Sequence, residues 1–221
     1  IRYATPEDVD MNYDRVGLAI AAYEASSEVN QFSSKFDYYL AGMVDLTEQE
    51  QNGLTLFDGK AMCSACHPSE GVDGEPPLFT DFTFDNLGVP KNPENPFYVM
   101  DEVYLDDGSP INPEGADWLD PGLGGFLADE NIYKHKVPTL RNVGLAPGQK
   151  FPKAYMHNGV FKSLKEVVHF YNTRDVEEWP PAEIPENVNT DELGDLGLSD
   201  AEEDAIVAFM MTLSDGYKLS D

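Results

Sequence analysis

Cys63-Ser64-Ala65-Cys66-His67 puts two thiols three residues apart with an imidazole directly after the second, and the chain has no other cysteine. This C-x-x-C-H spacing is the attachment signature of a c-type haem. The thiols of Cys63 and Cys66 add across the haem vinyl groups, and the turn between them aims His67 at the iron as its proximal ligand. A disulfide or a thioredoxin-like redox pair would also use two cysteines, but the redox pair expects a βαβ pattern that is missing here. A zinc site would need two more ligands at metal spacing, and His135, His157 and His169 are not clustered that way along the chain. The cofactor expected is therefore one c-type haem, and the open question is what occupies the opposite face of the iron.

Several elements must carry this motif. Residues 1–12 read as an N-terminal arm or the remnant of an interdomain linker, and residues 13–221 as a single haem domain. From Tyr13 to about Gln31 the pattern is helical, with Val16, Leu18, Ile20 and Tyr23 among small residues. A short helix is expected at Phe36, Tyr39 and Leu40. Thr47-Glu48-Gln49-Glu50 is a capping box that opens a helix through Leu54 and Phe57, which stops at Gly59 and delivers the chain to Cys63. Ser163-Leu164-Lys165-Glu166 and Ser199-Asp200-Ala201-Glu202 are two further boxes. The second opens a helix with Ile206, Phe209, Met210 and Leu213 on its apolar side, and Gly216 is its expected stop. Residues 68–136 are rich in Gly, Pro, Asn and Asp and too long for a simple connector. Such a stretch can wrap a cofactor with Phe79, Phe82, Phe84, Phe97, Tyr98, Tyr104 and Trp118, or fold back as a surface excursion with its own small cluster. The fold class expected is mainly α: a cytochrome c-like helical domain with long loops around one covalently bound haem.

Composition restricts the partners. With 14 Lys+Arg against 41 Asp+Glu the net charge is −27, which repels nucleic acid and anionic membranes. Such a surface can steer a basic redox partner, or it can be a dispersed adaptation for solubility. No apolar run reaches the length of a membrane span. The sequence opens at Ile1 without an initiator Met or a signal-like segment, so a processed or truncated product is expected. Bacteria attach haem to C-x-x-C-H outside the cytoplasm, so a periplasmic or otherwise extracytoplasmic location is expected too.

The chain resembles the C-terminal haem domain of the bacterial dihaem cytochrome c peroxidase and MauG family. The resemblance runs through Tyr13–Ile20, Leu56-Phe57-Asp58-Gly59-Lys60, the haem motif and Phe84–Pro90. It continues through Lys136-Val137-Pro138-Thr139-Leu140-Arg141-Asn142-Val143, Tyr155-Met156-His157-Asn158-Gly159, Glu166–Asn172 and Ala205–Phe209. The P-T-L-R-N-V and Y-M-H-N-G segments, in that order after the motif, are more specific than the motif alone. The resemblance implies an electron-relay haem. Members carry two haems, and the N-terminal domain where peroxide reacts has no counterpart here, so its residues transfer to no position. That domain is a candidate partner lost from this chain.

In the family the distal ligand sits on the helix after the Y-x-H-x-G segment, as Met in the peroxidases and Tyr in MauG-like members. Counting 14 positions from His157 gives Tyr171. Met156 is the alternative ligand and Met100 a further one. A phenolate favours ferric iron and lowers the potential, whereas a thioether raises it. His169 lies two residues before Tyr171 and therefore on another helix face. Arg141 and His157 are expected near the haem, the guanidinium suiting a propionate; the plainer reading has Arg141 capping a loop carbonyl and His157 in the core. A family calcium site is not transferred, because residues 147–153 form an extra stretch; Asp106-Asp107-Gly108-Ser109 is a weak calcium candidate that reads more simply as an acidic turn.

The function expected first is one-electron transfer through a closed, six-coordinate haem. The alternative is a peroxidase or MauG-like oxidation enzyme, or a fragment of one. A third reading is a haem-bearing subunit that docks onto a larger redox assembly.

Overall fold

The computed structural model describes residues 5–127, 129–145 and 153–219. Among them are five α-helices: α1 (Pro6–Glu24), α2 (Lys35–Leu40), α3 (Glu48–Asp58), α4 (Leu164–Thr173) and α5 (Asp200–Met211). Two two-residue strands, β1 (Phe84–Asp85) and β2 (His135–Lys136), pair antiparallel with Asp85 opposite His135. The fold is mostly helical with a small sheet.

Capping chemistry explains where the helices begin. At α3 and α5 the N-cap hydroxyl of Thr47 or Ser199 accepts the backbone N–H of a glutamate three residues on, and that glutamate accepts the N-cap N–H in return. At α4 only half of the expected box forms. Ser163 accepts the Glu166 N–H, but the Glu166 carboxylate reaches one residue further back, to the Lys162 N–H at 2.8 Å. α2 gains a box not anticipated, between Ser34 and Asp37. α1 starts at Pro6, within the residues 1–12 expected as an arm, with Thr5 as its N-cap and Glu7 and Asp8 in its first turn. α1 ends at Glu24, short of the expected Gln31, and its apolar side chains are exposed, Tyr13 by 79% and Leu18 by 70%.

α3 and α5 make the tightest crossing. A Cβ built on Gly53 would lie 1.9 Å from the Ala205 carbonyl oxygen, so only glycine permits this approach. Around the crossing, Phe36, Phe57, Phe79 and Phe209 form a four-ring cluster with edge-on contacts, the Phe57–Phe209 centroids 5.1 Å apart. A smaller cluster of Val89, Phe161 and Phe170 takes in Tyr171, Met156 and Trp179. α4 lies between the two, giving Leu164 and Val168 to the first and Phe170 to the second. Glu203 of α5 is buried against α4, accepting bonds from His169 Nδ1 at 2.9 Å and Asn172 Nδ2 at 2.7 Å, with Lys165 Nζ at 3.1 Å. Every charge in that contact is therefore answered.

The long stretch 68–136 divides its aromatic residues. Phe79 enters the main core, whereas Phe97 and Tyr98 pack against Trp118 in a cluster of their own, with centroids at 4.6 and 6.3 Å. Phe82 and Tyr104 are exposed. No described helix is long and apolar enough to cross a membrane.

Candidate functional site

Met62, in the left-handed region at φ +54°, turns the chain out of α3 into a single 3-10 turn over Cys63–Ala65. The His67 N–H then donates to the Cys63 carbonyl at 2.9 Å, which closes one helical turn and puts both thiols and the imidazole on one short surface. The thiols are not joined in a disulfide. Burial pushes Cys63 up to about 12. Burial also raises Cys66 to about 11, helped by the nearby carboxylates of Glu192, Asp81 and Asp85. Neutral thiols among carboxylates are poor nucleophiles and poor metal ligands, since both roles need the thiolate. That weighs against the redox-pair reading.

His67 is fixed by one bond. Its Nδ1 lies 2.7 Å from the Phe79 carbonyl oxygen, so Nδ1 carries the proton and Nε2 keeps its lone pair. Burial is the main cause that lowers this imidazole's pKa and keeps it neutral. Phe79 itself is immobilised, its ring fully buried in the core and its backbone at φ +53°. The segments on either side are pinned to residues 137–139. Thr80 Oγ1 donates to the Val137 carbonyl at 2.6 Å, and Thr139 Oγ1 to the Leu78 carbonyl at 2.5 Å. The P-T-L-R-N-V run thus holds the chain that holds His67.

Arg141 completes this support. Its Nε donates to the Pro77 carbonyl and its Nη1 to Asp37 Oδ2, both at 2.8 Å, with the guanidinium over the Phe32 ring. Both side chains of the ion pair are about nine-tenths buried. Burial alone would raise Asp37, but the bonds from Arg141 and Ser34 override it and hold the carboxyl below its ordinary value. Arg141 therefore caps a loop carbonyl, that of Pro77, and its Nη2 is buried with no hydrogen-bond partner among the described residues.

Tyr171 projects from α4 beside the smaller cluster. Burial raises its phenol, and the next causes are Cys63 and Cys66, which places its hydroxyl in the same electrostatic environment as both thiols. No side chain or carbonyl among the described residues hydrogen-bonds that hydroxyl. Met156 packs in the same cluster, held at φ +67° at the tip of the Tyr155–Phe161 bridge. Met100 lies instead in the 3-10 segment Pro96–Glu102, next to Phe97 and Tyr98 of the Trp118 cluster. His169 has both nitrogens engaged, by Glu203 at 2.9 Å and Glu177 at 3.3 Å. Asp107 closes its own turn through Ser109, as an acidic turn does. Of the extra stretch, residues 147–152 lie outside the described residues.

His157 is not in the core. It stacks face to face on His135, centroids 3.8 Å apart and planes 7° from parallel, with Asp120 alongside. Nothing in the order of residues along the chain marks Asp120 as a site residue, and for Phe79 it suggests a ring against a cofactor rather than a carbonyl that holds His67. Asp120 arrives through a loop, and Phe79 acts through a backbone oxygen that any residue could offer.

No family model matches the chain. It is 33% identical over 227 residues to the methylamine utilization protein MauG of Paracoccus denitrificans (strain Pd 1222), covering 95% of this chain and 53% of that protein. It is likewise 33% identical over 203 residues to the cytochrome-c peroxidase IdrP1 of Denitromonas iodatirespirans, covering 89% of this chain and 48% of that protein. Among solved structures, the diheme peroxidase BthA of Burkholderia thailandensis superposes with a TM-score of 0.68 at 31% identity, over 90% of this chain and 50% of that one. The chain thus spans about half the length of the relatives it matches. Over that span it belongs to the family of MauG and the dihaem cytochrome c peroxidases.

Proposed function

We propose that this chain is the C-terminal, electron-relay half of a two-haem protein of this family, and that it passes single electrons through one c-type haem. The reading rests on one observation above the rest: His67, held by the Phe79 carbonyl with Nε2 unprotonated, shares its turn with two neutral, unpaired thiols. Those are the groups that covalent haem attachment uses, and they fit it. A bound haem supplies a reversible one-electron iron couple.

In this reading Cys63 and Cys66 become thioethers, which removes two thiols that their surroundings keep protonated. His67 Nε2 is the proximal ligand, and the bond from Nδ1 to a carbonyl raises its basicity. Tyr171 is the distal ligand, with Met156 as the alternative. Its phenol has no protein partner among the described residues and would give up its proton on ligation. A hard, anionic oxygen there would keep the potential low and the iron closed to exogenous ligands. Arg141 and Asp37 are positioning residues that act through Pro77 and Phe79. The acidic surface favours a basic redox partner, with an encounter weakened by salt. Haem attachment of this type implies an extracytoplasmic, periplasmic location.

Electron paramagnetic resonance and resonance Raman of the ferric protein test the assignment. A low-spin spectrum with phenolate bands that disappear in Tyr171→Phe supports it, and a spectrum unchanged by that substitution refutes Tyr171 as ligand. Full conversion of the ferrous protein by carbon monoxide at neutral pH would overturn the closed relay. A second reading, oxidation chemistry of the MauG or peroxidase kind, is favoured by the names of the relatives. It predicts peroxide turnover faster than free haem, where the closed relay predicts none beyond it.

A further inference from the structure

We propose that Asp120, His135 and His157 form a binding site for one divalent transition-metal ion of the zinc class, separate from the Cys63–His67 turn. One ligand atom from each of the three lies within 4.8 Å of the other two. The three come from different segments, and each segment is fastened where it needs to be.

The turn that carries Asp120 is buttoned to the strand that carries His135. Tyr133 N–H donates to the Pro121 carbonyl at 2.8 Å, and Leu123 N–H to the Lys134 carbonyl at 2.7 Å. Gly122, at φ +53°, allows this approach, because a Cβ there would lie 2.4 Å from the Lys134 carbonyl oxygen. The Gly122 N–H also donates to Asp120 Oδ1 at 2.9 Å, which orients the carboxylate. His135 is held in β2 opposite Asp85. His157 is flanked by Met156 at φ +67° and by Asn158, whose Nδ2 donates to the Pro90 carbonyl and whose own carbonyl accepts from Asn92 Nδ2, both at 2.8 Å.

The donors decide the class of ion. Two imidazole nitrogens with one carboxylate oxygen suit zinc and its borderline neighbours. Calcium and magnesium prefer all-oxygen shells. Two imidazolium rings stacked at 3.8 Å would repel, so the pair favours neutral rings with free lone pairs. In the stack those lone pairs run side by side rather than converge. Capture of an ion therefore requires one ring to turn, and His157 is the exposed one. Three protein ligands leave a further position open to solvent.

The test is calorimetric titration of zinc chloride into the haem-loaded, chelator-stripped protein, with excess magnesium to saturate the acidic surface. We expect one zinc ion per chain and a rise in melting temperature on its addition. His135→Ala and His157→Ala should each weaken binding at least tenfold, whereas His169→Ala, in the Glu203 contact, should leave it unchanged. Asp120→Asn keeps the acceptor for the Gly122 N–H and should also weaken zinc at least tenfold, with an unaltered haem spectrum as the check of folding. Absence of a saturable equivalent overturns the proposal; this is also the result expected if haem carboxylates occupy the imidazoles. Equal affinity in the His135→Ala and His157→Ala proteins, or displacement by excess calcium, overturns it as well. The outcome is independent of which residue binds the haem iron distally.

Discussion

Two regions of this chain are held together by different chemistry. Around α3 and α5 the contacts are mainly apolar, rings against rings, with a glycine at the crossing and charge confined to the Arg141–Asp37 pair at the edge and to Glu203 with Lys165 and His169 of α4. Between Asn86 and Gly115 there is almost no regular structure, and buried asparagines do the joining. Asn112 is fully buried; its Nδ2 donates to the Phe97 and Gly115 carbonyls, and its Oδ1 accepts from the Glu114 and Gly115 N–H groups. Asn86 does the same for the Ile184 and Glu186 carbonyls and the Gly88 N–H. A loop region cannot satisfy its backbone by a ladder, so amide side chains supply the missing donors and acceptors. The candidate haem turn stands on the first kind of support, and the Asp120–His135–His157 cluster on the second.

Breaking the apolar region should have the largest effect. Arg141→Ala leaves Asp37 buried without its partner, at a cost of about 3–5 kcal/mol, read as loss of global stability in denaturant titration. Because Arg141 also braces Pro77, its loss should disturb the His67 environment and shift the haem spectrum. Gly53→Ala forces α3 and α5 apart and should cost roughly 3 kcal/mol, again as a global loss. Asn112→Ala removes four hydrogen bonds, although the Gly115 N–H keeps the Asn112 carbonyl and the Gly115 carbonyl keeps the Trp118 N–H, and should cost about 2 kcal/mol. Here hydrogen exchange should rise in residues 96–118 first, with the haem spectrum unchanged. If Asn112→Ala instead lowers protection evenly in both regions, the distinction between them fails.

The smallest effect is a pH slope at the α4–α5 contact. The bond to Glu203 is the main cause that raises His169, with further help from Glu203 and Glu177 charge. The charged imidazole therefore contributes stability in full below the unfolded pKa of about 6.5. That contribution is lost as pH rises through the higher folded value. Thermal melts of the parent and His169→Ala proteins should differ most at acidic pH and converge under alkaline conditions. Half-exposure of the ring keeps the difference small.

The motif, four of the helices and the N-caps of three of them, Thr47, Ser163 and Ser199, were legible because they are local. Cys63, Cys66 and His67 lie within one turn, and a capping box spans four residues. Thr5-Pro6 carries a helix start that the apolar periodicity does not announce, because that periodicity begins only at Tyr13. No metal spacing links His135 and His157 along the chain, so their meeting is not legible there. The aromatic residues of 68–136 could not be apportioned between a cofactor, the core and a satellite cluster, because each is chosen by packing rather than by neighbours in sequence.

What the sequence determined alone was chemistry carried by adjacent residues: the thiol–thiol–imidazole turn, the helix starts, and the acidic charge that restricts its partners. Packing across the whole fold settled which distant groups meet. It gave His67 its fixed tautomer through the Phe79 carbonyl, gave Arg141 to Asp37, and brought His157 onto His135 beside Asp120. Short-range geometry follows from the backbone's few allowed conformations. Long-range meetings depend on how whole segments pack, and no local pattern encodes that.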